Sequence, residues 1–149
     1  GDQITAANFH PVDPESRRDF WEALFDLCAA GMTILVSTHF MDEAERCHEL
    51  AILDEGVLAA AGAPDALMAA VPAQIVLVDC DEPRAAQRVL RNDSRVVGIA
   101  QVGRRLRVML TKDLADADQF VASLLSSAGI TSQCVRAKPN LEDVFVAAT

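Results

Sequence analysis

Two residues stand where chemistry could be done. His39 lies two residues past the run Thr33–Ser37, which is apolar and β-branched without alternation. Such a run suits a strand covered on both faces, as in a parallel sheet. In open α/β sheets ligands sit outside the carboxyl ends of the strands. An imidazole placed there can carry a proton or orient a water; an incidental loop histidine is the plain alternative. Asp13 is the second candidate, and capping a helix is a sufficient account of it by itself.

Other clusters read as ordinary surface. Cys47 and His48 are adjacent on a helix end, so they point apart, and no second pair is spaced to complete a metal site. Asp79, Asp81 and Glu82 form an acidic patch that suits a solvated loop better than a catalytic dyad. Arg104, Arg105 and Arg107 could bind an anion, with an exposed turn as the default. The sequence holds no GxxxxGK[ST] phosphate loop, no GxGxxG and no GxSxG elbow.

The elements that must hold these residues follow from pattern. Asp13, Pro14 and Glu15 open a helix predicted to run to about Ala30, where Gly31 stops it. Phe20, Leu24, Leu27 and Cys28 share its inward face, widened by Trp21 and Phe25. The Thr33–Ser37 strand follows, then a short helix Met41–Cys47. Leu50–Leu53 and Val57–Ala61 form a hairpin about Asp54–Glu55–Gly56, and Pro64 starts a small helix to about Ala70. Val71–Pro72–Ala73 reads as a joint.

A second pattern begins beyond that joint. Strand Ile75–Val78 leads to helix Pro83–Leu90, with Ala86, Val89 and Leu90 inward. Strands Val96–Val102 and Leu106–Leu110 come next. Helix Leu114–Ser127 presents Phe120, Val121, Leu124, Leu125 and Ala128 on one face, and strand Thr131–Val135 closes the unit. The order β-α-β-β-α-β is that of the α+β ferredoxin-like, split βαβ arrangement. Pro139–Ala148 adds an amphipathic tail, with Leu141, Val144, Phe145 and Ala148 on one side.

The totals narrow the classes. The chain has 149 residues, 22 acids against 13 bases and a net charge of −9. That charge repels phosphate backbones, so nucleic acid is not an expected partner. No apolar run approaches the ~20 residues of a membrane span. The four cysteines form no CxxC pair and read as reduced thiols. Residues 1–10 are expected to be a disordered or non-native leader. Gly1 in place of methionine suggests a processed or cut chain.

The segments VDPESRR, GMTILVSTHFMDEAERC, LAILDEGVL and GAP, in that order, resemble one family: the C-terminal part of the ATP-binding subunit of an ABC transporter. The match covers about Val12 to Leu67. The resemblance implies that VDP belongs to the D-loop and THFMDEAE to the switch-histidine segment. His39 would then be the catalytic histidine that reaches the γ-phosphate and attacking water. Asp13 would be a nucleotide-site residue shaping the dimer interface. The second half is similar to the small appended domain of drug- and antibiotic-exporter subunits, whose implied role is regulatory or dimer-strengthening. Its ending, LEDVFVAAT, is typical of them.

The departures from the family matter as much. Its P-loop, Q-loop, signature segment and strand-ending Asp–Glu are not in this sequence. Counting back from Asp13, its catalytic glutamate falls at Ala7 and its magnesium-side aspartate at Ala6, while Pro11 replaces a small residue. ATP and Mg²⁺ belong to the parent subunit, and this chain alone is expected neither to bind nor to hydrolyse ATP. The expectation is therefore an α/β chain in three parts. Residues 1–10 are the leader, 11–71 a partial parallel-sheet remnant of the ATP-binding domain, and 72–149 the ferredoxin-like domain. The implied partners are a second ATP-binding subunit and a transmembrane permease. The implied location is cytoplasmic, peripheral to the inner membrane. An exposed strand edge predicts self-association, with Ile4–Phe9 available as an added strand. The rival reading is a stand-alone ferredoxin-like module that senses a ligand or dimerises.

Overall fold

The computed structural model describes residues 4–7 and 13–149. The chain separates into two compact units, Gly1–Arg46 and Cys47–Thr149. Both mix helices with strands, as the α/β class requires.

In the first unit, β1 (Ile4–Ala7) pairs in parallel with β2 (Thr33–Val36), from Ile4 opposite Thr33 to Ala7 opposite Val36. Between them in sequence lies α1 (Pro14–Ala29), which buries Trp21 and Leu24. The Asp13 carboxylate accepts from the backbone amides of Glu15 and Ser16 at 3.4 Å each, so two of the orphan donors of the first turn are satisfied. Gly31, at φ +96°, turns the chain out of the helix. α2 (Met41–Ala44) ends before the expected Cys47, because the chain tightens as the Arg46 amide donates to the Glu43 carbonyl.

Three expectations for this unit are corrected. Ile4–Ala7 is a strand, which agrees with the expected added strand from Ile4 and departs from the expectation of disorder there. The remaining leader residues, with Pro11 and Val12, lie outside the described residues. Second, β2 is not covered on both faces, since Leu35 is 63% exposed while Ile34 and Val36 are half-buried. Among the described residues β2 has β1 beside it and α1 packed on it. Covering from one side buries alternate residues. Third, Leu27 and Phe25 of α1 are 42% and 40% exposed.

The second unit opens with β3 (Leu50–Asp54) and β4 (Val57–Gly62), an antiparallel hairpin, followed by α3 (Pro64–Ala69). Then come β5 (Gln74–Cys80), α4 (Pro83–Arg91), β6 (Val96–Val102), β7 (Arg105–Leu110), α5 (Ala117–Ser127), β8 (Ser132–Ala137) and α6 (Leu141–Ala148). The sheet order is β6-β7-β5-β8, with every neighbouring pair antiparallel. On one face, Val76, Val78, Leu106, Val108 and Leu110 pack with Ala86 and Leu90 of α4 and Val121 and Leu125 of α5. The period of two along β5 and β7 sorts these side chains to one side. The α5 helix begins at Ala117, not Leu114, because Asp116 takes a left-handed backbone, φ +48°. Ala128, expected on its inward face, is exposed.

Val71 and Ala73 are buried with Ile75, Met109 and Val144 on the opposite face, so this stretch is core and not a joint. Ile52, Leu67 and Met68 pack against the same cluster. That packing explains why the contact boundary falls at Arg46/Cys47 and not at 71/72. The apolar side chains of the hairpin and α3 find their partners on this face and on α6.

Candidate functional site

β2 ends at Val36, and the chain runs out through Ser37 and Thr38 to an exposed His39. The histidine thus follows the carboxyl end of a strand in a parallel pair, the position expected for it. Its ring lies 4.2 Å from the Phe40 ring, tilted by 32°. Asp13 is exposed at the start of α1, where its cap role is realised. The Ser16 hydroxyl adds a third donor to that carboxylate, at 3.1 Å.

A charged network borders the histidine. Glu43 is 7% exposed. A carboxylate so placed needs partners, and it has them. Arg17 donates from Nε at 3.2 Å and from Nη2 at 3.0 Å to its Oε1, and the Thr38 hydroxyl donates to its Oε2 at 2.7 Å. The Thr38 oxygen in turn accepts from the Phe40 amide at 3.0 Å. The Arg17 guanidinium also reaches Asp42 at 3.3 Å and lies 5.2 Å over the Phe40 ring. Sequence reading missed Arg17, Thr38 and Glu43. Glu43 was legible only as a favourable charge early in a helix, and nothing local signals that Arg17, 26 residues earlier, would reach it.

The other candidates settle into structural roles. Arg104 pairs with Asp81 at 3.1 Å and Arg105 with Asp79 at 3.5 Å, so the basic and acidic patches face each other in exposed pairs. Arg107 departs from the exposed-turn expectation: its side chain is 12% exposed and meets the buried Asp143 at 2.6 Å. Among the described residues, no three His, Cys, Asp or Glu side chains gather as a metal ion would need. Burial pushes the Cys80 thiol up, opposed by a hydrogen bond from the Glu82 backbone, and burial likewise raises Cys134. Both therefore stay protonated and unreactive near neutral pH.

Two concavities lie in the second unit. One of 450 Å³ is lined by Glu82, Arg84, Arg88 and Gln101, among others. The other, of 320 Å³, is lined by Leu77, Val102, Arg105 and Asn140, among others. Neither touches His39 or Asp13. No helix among the described residues is long and apolar enough to cross a membrane.

No family model matches the chain. Curated relatives do. Over 59 residues, 39% of this chain and 19% of the relative, it is 54% identical to the Nod factor export ATP-binding protein I of Paraburkholderia xenovorans. Over 138 residues, 91% of this chain and 23% of the relative, it is 31% identical to the probable multidrug ABC transporter ATP-binding protein YbhF of Escherichia coli. Over 140 residues, 93% of this chain and 43% of the relative, it is 34% identical to the Nod factor export ATP-binding protein I of Burkholderia orbicola. The chain thus spans less than half the length of these relatives. Relatives named as multidrug and export ATP-binding proteins, matched at 31% and 34% identity through 91% and 93% of the chain, make it a member of the family of ABC transporter ATP-binding subunits.

Proposed function

We propose that the chain is the C-terminal part of an export-type ATP-binding subunit. In this reading the first unit carries one corner of the nucleotide site. His39 faces the γ-phosphate and the attacking water, and Asp13 shapes the contact with a second ATP-binding subunit. The observation that carries the reading is the exposed imidazole just beyond the carboxyl end of a parallel strand. Within the second unit, residues 72–149 form a ferredoxin-like appended domain with a regulatory or dimer-strengthening role. The β-α-β-β-α-β order from β5 to β8 and the sheet order β6-β7-β5-β8 support that assignment.

The residues present do not fit Mg²⁺–ATP as a resident group. The positions that would supply the metal-side and water-activating carboxylates are Ala6 and Ala7, whose methyl groups offer no donor atom. No hydrolytic step is therefore assigned to this chain by itself. Within a whole subunit, His39 would hydrogen-bond to the transferring phosphoryl group or its water. Asp13 would act at the interface while still capping α1. The partners are a second ATP-binding subunit and a membrane-embedded permease, which would place the protein at the cytoplasmic face of the inner membrane. The stand-alone sensing module is less favoured, because the matches covering 91% and 93% of the chain run through both units.

Calorimetry with Mg²⁺–ATP tests the first half of this reading. The chain alone is expected to give no saturable heat up to millimolar nucleotide, and micromolar binding would overturn the expectation. In the whole subunit, His39→Ala is expected to lower ATP turnover by about 100-fold or more. Unchanged turnover would remove His39 from the site.

A further inference from the structure

We propose that Arg17 is a positioning residue for His39, acting through Glu43 and Thr38 to fix the loop on which the imidazole sits. The proposal rests on the reading of His39 as a nucleotide-site residue, and it adds the residues that aim it.

The geometry makes the loop a closed frame. Thr38 and Phe40 flank His39, and the Thr38 hydroxyl spans them by accepting the Phe40 amide. A hydroxyl that accepts this bond still has a proton to give, and that proton goes to Glu43 Oε2 at 2.7 Å. The opposite oxygen of Glu43 is held by the Arg17 fork. A planar guanidinium with two donors on one oxygen fixes direction as well as distance. The same guanidinium lies over the Phe40 ring, and that ring stands against the imidazole. Backbone and ring of the histidine segment are therefore both referred to one side chain of α1.

Arg17 also joins the two candidate site residues. Its own amide donates to the Asp13 carbonyl at 3.0 Å, in the turn that the Asp13 carboxylate caps. A displacement of the α1 start passes to the His39 loop through one ion pair and one hydroxyl. The network thus gives the D-loop end of the helix a direct mechanical hold on the histidine.

The test uses the full chain, without nucleotide, and nuclear magnetic resonance. Two signals are read: the exchange rate of the Phe40 amide, and the upfield displacement of the His39 ring protons by the Phe40 ring. Arg17→Lys keeps the charge and loses the fork. Thr38→Val keeps the shape and loses the hydroxyl, while Thr38→Ser restores the hydroxyl. Arg17→Lys and Thr38→Val are expected to speed Phe40 exchange by about tenfold or more. Both are expected to move the His39 ring protons toward their unstacked positions, with the amides of Leu24 to Cys28 unchanged. Thr38→Ser is expected to match the parent chain. The proposal is overturned if Thr38→Val leaves both signals unchanged. It is also overturned if Thr38→Val speeds exchange evenly along α1, which would mark general support of the unit. Should Arg17→Lys unfold the first unit, the Thr38 pair still decides. Loss of His39 from the nucleotide site, seen as unchanged turnover of the whole subunit with His39→Ala, would sink that reading and leave these signals as they are.

Discussion

Arg107 and Asp143, 36 residues apart, hold each other edge to edge: Nε donates to the two carboxylate oxygens at 2.9 and 3.1 Å, and Nη2 to one of them at 2.6 Å. The pair ties α6 to β7, and Nη2 also donates to the Lys138 carbonyl. Both side chains are nearly removed from water. Taking away one partner strands the other charge. Asp143→Ala is therefore expected to destabilise the second unit by about 3–5 kcal/mol, measured by urea unfolding. Replacing both residues with leucine is expected to recover much of the loss. A single variant within about 0.5 kcal/mol of the parent would show that the pair matters little.

Asn140 works on the same helix by a different route. Its side chain accepts from the Asp143 amide at 2.9 Å, while its own amide donates to Asp143 Oδ2 at 2.7 Å. This capping box satisfies two donors reciprocally. Asn140→Ala is expected to destabilise by about 1 kcal/mol and Asn140→Ser by less. Equal losses for the two would argue that the cap is not what Asn140 contributes.

The exposed apolar side chains of the first unit give a solution-state expectation. Leu35 is 63% exposed on β2, and Phe40, Phe25 and Leu27 are each at least 40% exposed nearby in sequence or in the same unit. Exposed apolar side chains in this number within a short unit favour association. The chain is expected to elute larger than a monomer, and Leu35→Glu to shift it toward one, by size-exclusion chromatography with light scattering. A clean monomer of the parent chain would refute this.

Cys80 and Cys134 make alkaline stability pH-dependent. Their folded thiols hold protons more tightly than the unfolded chain does, chiefly because burial disfavours the thiolate. The sign follows from linkage: the contribution is fully present below the ordinary thiol value of 9.0 and is lost as pH rises through the raised folded value. The urea midpoint is expected to fall above that pH, and the fall to be shallower in a Cys80→Ala, Cys134→Ala chain. Parallel curves for the two chains would assign the loss elsewhere.

The second unit was largely legible in the sequence because its periods are clean. Val76, Val78 and Cys80 alternate along β5, and Ala86 and Leu90 stand one turn apart on α4. The first unit was legible in its elements but not in its burial. The run Thr33–Ser37 has the composition of a covered strand, yet composition cannot say which neighbours are there to cover it. Arg107 was misplaced because three nearby arginines look like one exposed turn, whereas strand alternation turns Arg107 toward α6. His39 and Asp13 could be placed from local order alone. The Arg17–Glu43 contact could not, since it depends on how α1 and α2 meet.

The β3–β4 hairpin has a consequence outside stability or catalysis. Its two central residues, Glu55 and Gly56, both take positive φ, +48° and +80°, between the paired Asp54 and Val57. Glycine accepts that conformation freely and glutamate does not, so Glu55→Asn would suit the bend better. More usefully, the bend brings the strand ends at Asp54 and Val57 side by side, about 5 Å apart. A foreign peptide spliced between residues 55 and 56 would begin and finish at one point, which makes this hairpin a convenient tether for a fluorophore or an affinity handle.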